Sequence, residues 1–133
     1  MYKLVLIAVA GGVGSLLRYL VAGLAQRLVG GALLLSVPAG TLLVNVTGSA
    51  LLGFLACALP AVSAWPAEWR VALLVGGLGG FTTFSTFALE TFRLADEGQW
   101  GFALLNLALN NALALAAAWL GWRLAERIYG VVS

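Results

Sequence analysis

Charge is almost excluded from four long stretches of this chain. No Asp, Glu, Lys or Arg occurs in residues 28–67, 71–89 or 98–122, and residues 4–26 are interrupted once, by Arg18. A helix needs about 20 mainly apolar residues to cross the hydrocarbon layer, within a usual range of about 17–25. Each stretch meets that length. None shows the alternation over about ten residues that marks a barrel strand, so helices are the spanning elements. Composition agrees. Of 133 residues, 62% are hydrophobic and 9% charged, against about 25% charged in a soluble domain. So few charges cannot cover a water-facing surface, and a bilayer is the solvent that suits them.

The expected fold is therefore all-α, a single membrane domain over residues 1–133 with helices at about 4–26, 38–60, 70–93 and 99–123. Pro38 and Pro60 bracket the second. The connectors are short, at about 27–37, 61–69 and 94–99. Lys3 followed by an apolar run imitates a secretory signal, with Ala8-Val9-Ala10 as a cleavage site. The apolar core before that site is too short, so the first helix is read as uncleaved. Trp65, Trp69, Trp100, Trp119 and Trp122 all fall near expected helix ends, where the membrane interface favours indoles.

Several function classes are excluded or weakened. The net charge is +2 and the seven basic residues are scattered, so nothing tracks a nucleic-acid backbone. Histidine is absent, which removes the commonest general base and metal ligand. Cys57 is the one cysteine, and it reads as a buried small hydrophobe. The chain is not expected to be an enzyme. Orientation is weakly encoded. Lys3, Arg70, Arg123 and Arg127 fall on one side of a four-span topology, with Arg27, Arg93 and loosely Arg18 on the other. That balance gives little bias under the positive-inside rule and permits insertion both ways.

Polar side chains inside a bilayer are costly, so each needs a reason. Arg18 either snorkels to the interface or offers an anion-attracting charge at a vestibule. Thr41, Asn45 and Ser49 are spaced by four and share a helical face. Asn106 and Asn110 repeat the spacing in the last helix, while Asn111 lies on another face. Such residues serve either as interhelical hydrogen-bonding glue or as the wall of a polar pathway. Two stripes on separate helices favour the pathway.

The third stretch is the most unusual. It reads Gly76-Gly77-Leu78-Gly79-Gly80-Phe81-Thr82-Thr83-Phe84-Ser85-Thr86-Phe87. Each glycine weakens a helix by about 1 kcal/mol relative to alanine. A break in the helix near mid-membrane is expected here, exposing carbonyls that suit a small hard cation and amides that suit an anion. The alternative is close packing through a Gly76-to-Gly80 small-residue pattern. Phe84 and Phe87 share a face, and Phe81 continues the row. Aromatic edges are electropositive, so a row of them can hold a small anion weakly enough for conduction. Ser85 and Thr86 add hydroxyls. Glu90 caps a helix end or sets the electrostatics of a mouth.

Three motifs carry a family resemblance. They are Gly11-Gly12-Val13-Gly14-Ser15-Leu16-Leu17-Arg18-Tyr19, Gly40-Thr41-Leu42-Leu43-Val44-Asn45-Val46-Thr47-Gly48, and residues 79–87 with Glu90. In this order, in a four-span chain of this length, they resemble the CrcB/Fluc family of fluoride channels. The resemblance implies an antiparallel, dual-topology homodimer with two fluoride pores. It implies a structural sodium ion at the dimer centre, held by the backbone carbonyls of Gly79 and Thr82 from each subunit. It places Asn45, Phe84, Phe87, Ser85 and Thr86 along the anion pathway. The family's last helix often carries a hydroxyl track. Here Asn106 and Asn110 stand at those positions, with Ala114 after them. A dimer also makes physical sense, since four helices hardly enclose both a core and a pore.

The function these features imply is passive export of fluoride from the cytoplasm through the inner (plasma) membrane, relieving fluoride toxicity. The alternative is a small proton-coupled multidrug antiporter. That needs an intramembrane carboxylate, and Glu90 is the sole candidate. A structural subunit of a larger membrane complex is a third class.

Overall fold

The computed structural model describes residues 1–29, 37–62 and 65–130. Among the described residues every regular element is helical. Four helical spans are long and apolar enough to cross a membrane: Tyr2–Leu28, Ala39–Ala61, Ala67–Asp96 and Trp100–Tyr129. Helix is the state that satisfies backbone hydrogen bonds without water.

The first span is α1 (Tyr2–Val29) and the second is α2 (Ala39–Ala61). The third is composite. It begins with α3 (Ala67–Val71), widens into a π-helical segment (Ala72–Leu78), and continues as the single turn α4 (Gly79–Phe81). Thr82 and Thr83 are then extended, at φ −76°, ψ 158° and φ −151°, ψ 111°, before α5 (Phe84–Asp96). The fourth span is α6 (Trp100–Tyr129). Gly98, at φ +75°, makes the tight turn from α5 into α6, a conformation that glycine adopts without a Cβ penalty. Gly130, at φ +66°, ends α6 the same way.

The spans pack as two pairs. α2 lies along α6, with Gly53 against the Ala118 carbonyl and Gly121 against the Ala50 carbonyl and Phe54 amide. Cys57, Ala58 and Ala125 close this seam as a buried cluster beside Phe54, so Cys57 sits as expected. α1 lies along the third span. A Cβ at Gly76 would stand 2.6 Å from the Ile7 carbonyl oxygen, and one at Gly80 would stand 2.7 Å from that of Gly11. Backbone touches backbone there, as small-residue seams in membranes allow. The rest of α1 is nearly bare, exposing Leu4, Val5, Val9 and Leu16 to what would be lipid.

The glycines of residues 76–80 stay helical where α1 packs against them. The helical winding lapses two residues later, at the β-branched pair Thr82–Thr83, within the stretch where an interruption is expected. The extended pair also shifts the register of the aromatics. Phe81 turns toward α1 and α2, lining an apolar groove with Val13, Gly14 and Leu51, and does not continue the row of Phe84 and Phe87.

Helix ends run past the apolar blocks. α6 continues to Tyr129, well beyond the last uncharged residue, with Arg123 bonded to Glu126 at 2.8 Å along its exposed face. Charge ends an apolar span, but it does not end a helix. All five tryptophans are exposed, and Trp100 opens α6. The first connector falls mostly outside the described residues.

Candidate functional site

Asn45, about two turns into α2, has its side chain turned toward the extended pair. Its Oδ1 accepts from the Thr83 amide at 2.8 Å, and its Nδ2 donates to the Thr83 carbonyl at 3.1 Å. The Asn45 oxygen thus replaces the bond that the lapse in the helix takes from the Thr83 amide, while the Thr83 carbonyl, at the N-cap of α5, gains a second donor. This diverts the Thr83 amide, which in an unbroken helix would donate to the Gly79 carbonyl. Thr83 caps α5 as well. Its Oγ1 accepts from the Thr86 amide at 3.2 Å and donates to Thr86 Oγ1 at 2.9 Å.

Asn45 also donates to Asn110 Oδ1 at 3.0 Å, and Asn110 donates to Asn106 Oδ1 at 2.9 Å. Asn106 donates in turn to Thr91 Oγ1 at 2.8 Å. The three asparagines expected along two polar stripes therefore meet and bond to one another, inside the protein.

A groove of about 250 Å³ opens beside them, lined by Asn45, Ser49, Thr82, Thr83, Phe84, Phe87, Asn110, Asn111, Ala114 and Leu115. Phe87 is 4% exposed and Phe84 is 74% exposed. Their rings meet edge to face, with centroids 5.3 Å apart at 67°. The pair therefore presents one seated ring and one open ring to the same groove. Asn111 donates to Leu107 on its own helix at 2.7 Å.

A second groove of about 320 Å³ lies on the α1 side of Thr83. It is lined by Ser15, Arg18, Tyr19, Ala22, Gly23, Thr41, Val44, Thr83 and Thr86. Arg18 is half-buried there. Thr83 borders both grooves. Thr41 donates to Glu90 Oε1 at 2.8 Å, so Glu90 is tied to α2 through a hydroxyl.

Of the residues expected at the site, the first groove gathers Asn45, Phe84, Phe87, Asn110 and Thr82. The second takes Arg18 and Thr86. Ser85 and Gly79 are exposed and line neither, and Asn106 is fully buried behind Asn110. Sequence reasoning missed Thr83 and Thr91. Thr83 carries a legible signal, a hydroxyl one residue before a helix with a second hydroxyl three residues on. Thr91 carries none, because its partner is fifteen residues away on another helix.

The family model described as CrcB-like protein, Camphor Resistance (CrcB), matches residues 5–122. The chain belongs to the CrcB family. This CrcB chain is 42% identical over 128 residues to a relative from Geobacter sulfurreducens, covering 96% of this chain and 100% of the relative. It is 41% identical over 129 residues to one from a Sulfurovum species, covering 97% and 98%. It is 47% identical over 122 residues to one from Methylococcus capsulatus, covering 92% of this chain and 52% of the relative. The CrcB chain thus spans about half the length of the Methylococcus protein and nearly all of the other two. Each relative is named Fluoride-specific ion channel FluC; they are channels, not enzymes. With four apolar helical spans, the CrcB chain is a multi-pass membrane protein.

Proposed function

We propose that this chain conducts fluoride passively across the membrane. The observation that carries the reading is 41–47% identity, over more than nine-tenths of the chain, to relatives named as fluoride channels. The site chemistry supports it. Phe84 and Phe87 offer ring edges, whose partial positive charge attracts a small anion without trapping it. Ser85 and Thr86 supply hydroxyl donors on the first turn of α5. Arg18 raises the local anion concentration at the mouth of its groove. Asn45 and Asn110 form the pathway's wall, with Asn106 buried behind them. Their side-chain hydrogen bonds run to one another, to Thr83 and to Thr91, so they frame the path while rings and hydroxyls meet the ion.

The working unit is an antiparallel homodimer with two pores, in the inner (plasma) membrane. The near balance of Lys3, Arg70, Arg123 and Arg127 against Arg18, Arg27 and Arg93 suits a chain inserted both ways. The helix break that matters is the extended pair Thr82–Thr83. The chain's own oxygens fit a structural sodium ion at the dimer centre, because the diverted Thr83 amide leaves the Gly79 carbonyl without its helical donor. Gly79 and Thr82 from two copies would supply hard oxygen ligands. Such an ion would hold the subunits in register. Fluoride enters a cell as neutral hydrogen fluoride, dissociates at cytoplasmic pH, and leaves as the anion down its gradient.

Purified protein in fluoride-loaded liposomes is expected to release fluoride without ATP, followed by a fluoride electrode. Retention of fluoride until detergent is added would sink the reading. Replacing sodium with N-methylglucamine throughout purification is expected to weaken the dimer on size exclusion. A dimer indifferent to sodium removes the ion from the proposal. The antiporter alternative needs proton-driven exchange at Glu90, and kinship to ion channels weighs against it.

A further inference from the structure

We propose that Asn106 and Thr91 are positioning residues for the Phe84–Phe87 pair, acting through a one-way ring made of a hydrogen-bond relay and the stretch of backbone, Thr83 to Phe87, that joins its two ends. The functional part of this inference rests on the fluoride reading above.

The ring runs through three helices. The Thr83 amide donates to Asn45 on α2, Asn45 to Asn110 on α6, Asn110 to Asn106, and Asn106 back to Thr91 on α5. Thr91 Oγ1 ends the relay by donating to the Phe87 carbonyl at 2.8 Å, and the backbone from Phe87 to Thr83 completes the ring. Every donor points the same way round. The sense is set at one place. Thr83 offers Asn45 both an N–H and a carbonyl, so the Asn45 oxygen must face the first and its nitrogen the second. Each later carboxamide inherits that choice. Turning one over would set donor against donor. Asn45, Asn110 and Asn106 are 9%, 4% and 0% exposed, so water is poorly placed to repair the mismatch.

The ring grips α5 at Thr83 and at Thr91, on either side of Phe84 and Phe87. That fixes the rotation of α5 about its axis, and with it the direction of both rings. Neither Asn106 nor Thr91 lines the groove. Any effect they have on an ion must pass through the residues they hold.

The test compares Thr91→Val, which keeps the shape and loses the hydroxyl, with Thr91→Ser, which keeps the hydroxyl. In proteoliposomes Thr91→Val is expected to slow fluoride flux on the order of tenfold, with unchanged size-exclusion behaviour, while Thr91→Ser runs at the wild-type rate. A second readout needs no fluoride. By NMR of the purified protein, Thr91→Val should shift the side-chain amide signals of Asn106, Asn110 and Asn45 and speed exchange of the Thr83 amide. Thr91→Cys, a weaker hydrogen-bonding group, is expected to do the same to a smaller degree, and serves if the valine variant is not recovered folded. Equal loss of flux in Thr91→Ser, or a shift confined to Asn106 with Thr83 exchange unchanged, would overturn the ring. If the wild-type protein moves no fluoride, the functional reading falls, and the NMR result still decides whether the ring exists.

Discussion

Phe84→Ile is expected to lower fluoride flux on the order of tenfold while the protein assembles as before. The ring is largely exposed in the subunit, so its loss removes little packing from the fold. What it removes is an aromatic edge beside the groove. A favourable aromatic contact is worth about 0.5–1.5 kcal/mol beyond area burial, and about 1.4 kcal/mol of barrier is a factor of ten in rate. Phe87→Ile acts on the seated ring of the same pair. It should reduce flux at least as much, with some cost in stability because Phe87 is buried. The double variant is expected to fall on the order of a hundredfold. A fluoride electrode on liposomes with matched protein content gives all three rates, and size exclusion reports assembly. Wild-type flux in either single variant would end the role assigned to the rings.

Asn45→Leu is expected to have the larger effect on the protein itself. It strips partners from the Thr83 amide and Asn110 Oδ1 at once, and takes one of two donors from the Thr83 carbonyl. Each buried polar group left unpaired costs about 1–3 kcal/mol. Two such losses are a large share of the whole stability of a typical domain, about 5–15 kcal/mol. The variant should aggregate on extraction or lose its dimer, and flux should vanish with it. Asn45→Asp is informative beside it. A carboxylate still accepts from the Thr83 amide but cannot donate to two oxygens, so it is expected to fail as well. A folded Asn45→Leu dimer with normal thermal stability would show that Thr83 finds other partners.

The spans were legible because their signal is additive. Some twenty apolar side chains outvote any one residue, and the charge-free blocks located all four. The details of the third span were not, because glycine has two uses. Gly76 and Gly80 look like helix breakers when only propensity is counted, yet α1 lies against both, and close approach decides their state. The interruption fell instead on Thr82–Thr83, where Asn45 waits to accept and donate. The asparagine stripes were legible as shared helical faces, because a spacing of four needs no tertiary information. That they bond to each other depends on where α2 and α6 cross, which is set by Gly53 and Gly121. Phe81 left the row of aromatics for a similar reason, since helical spacing has no meaning across two extended residues.

The partners of Thr83 also bear on the order in which the chain is built. Synthesis proceeds from the N-terminus, so α2 is made before the third span and α6 after it. The open Thr83 amide therefore meets Asn45 on a helix already made, and need not wait for the end of the chain. Asn110 and Asn106 arrive last and bond to an Asn45 already oriented. A nascent chain halted before α6 would still have its costliest exposed group paired. The last helix then acts as a latch on a turn that is already formed.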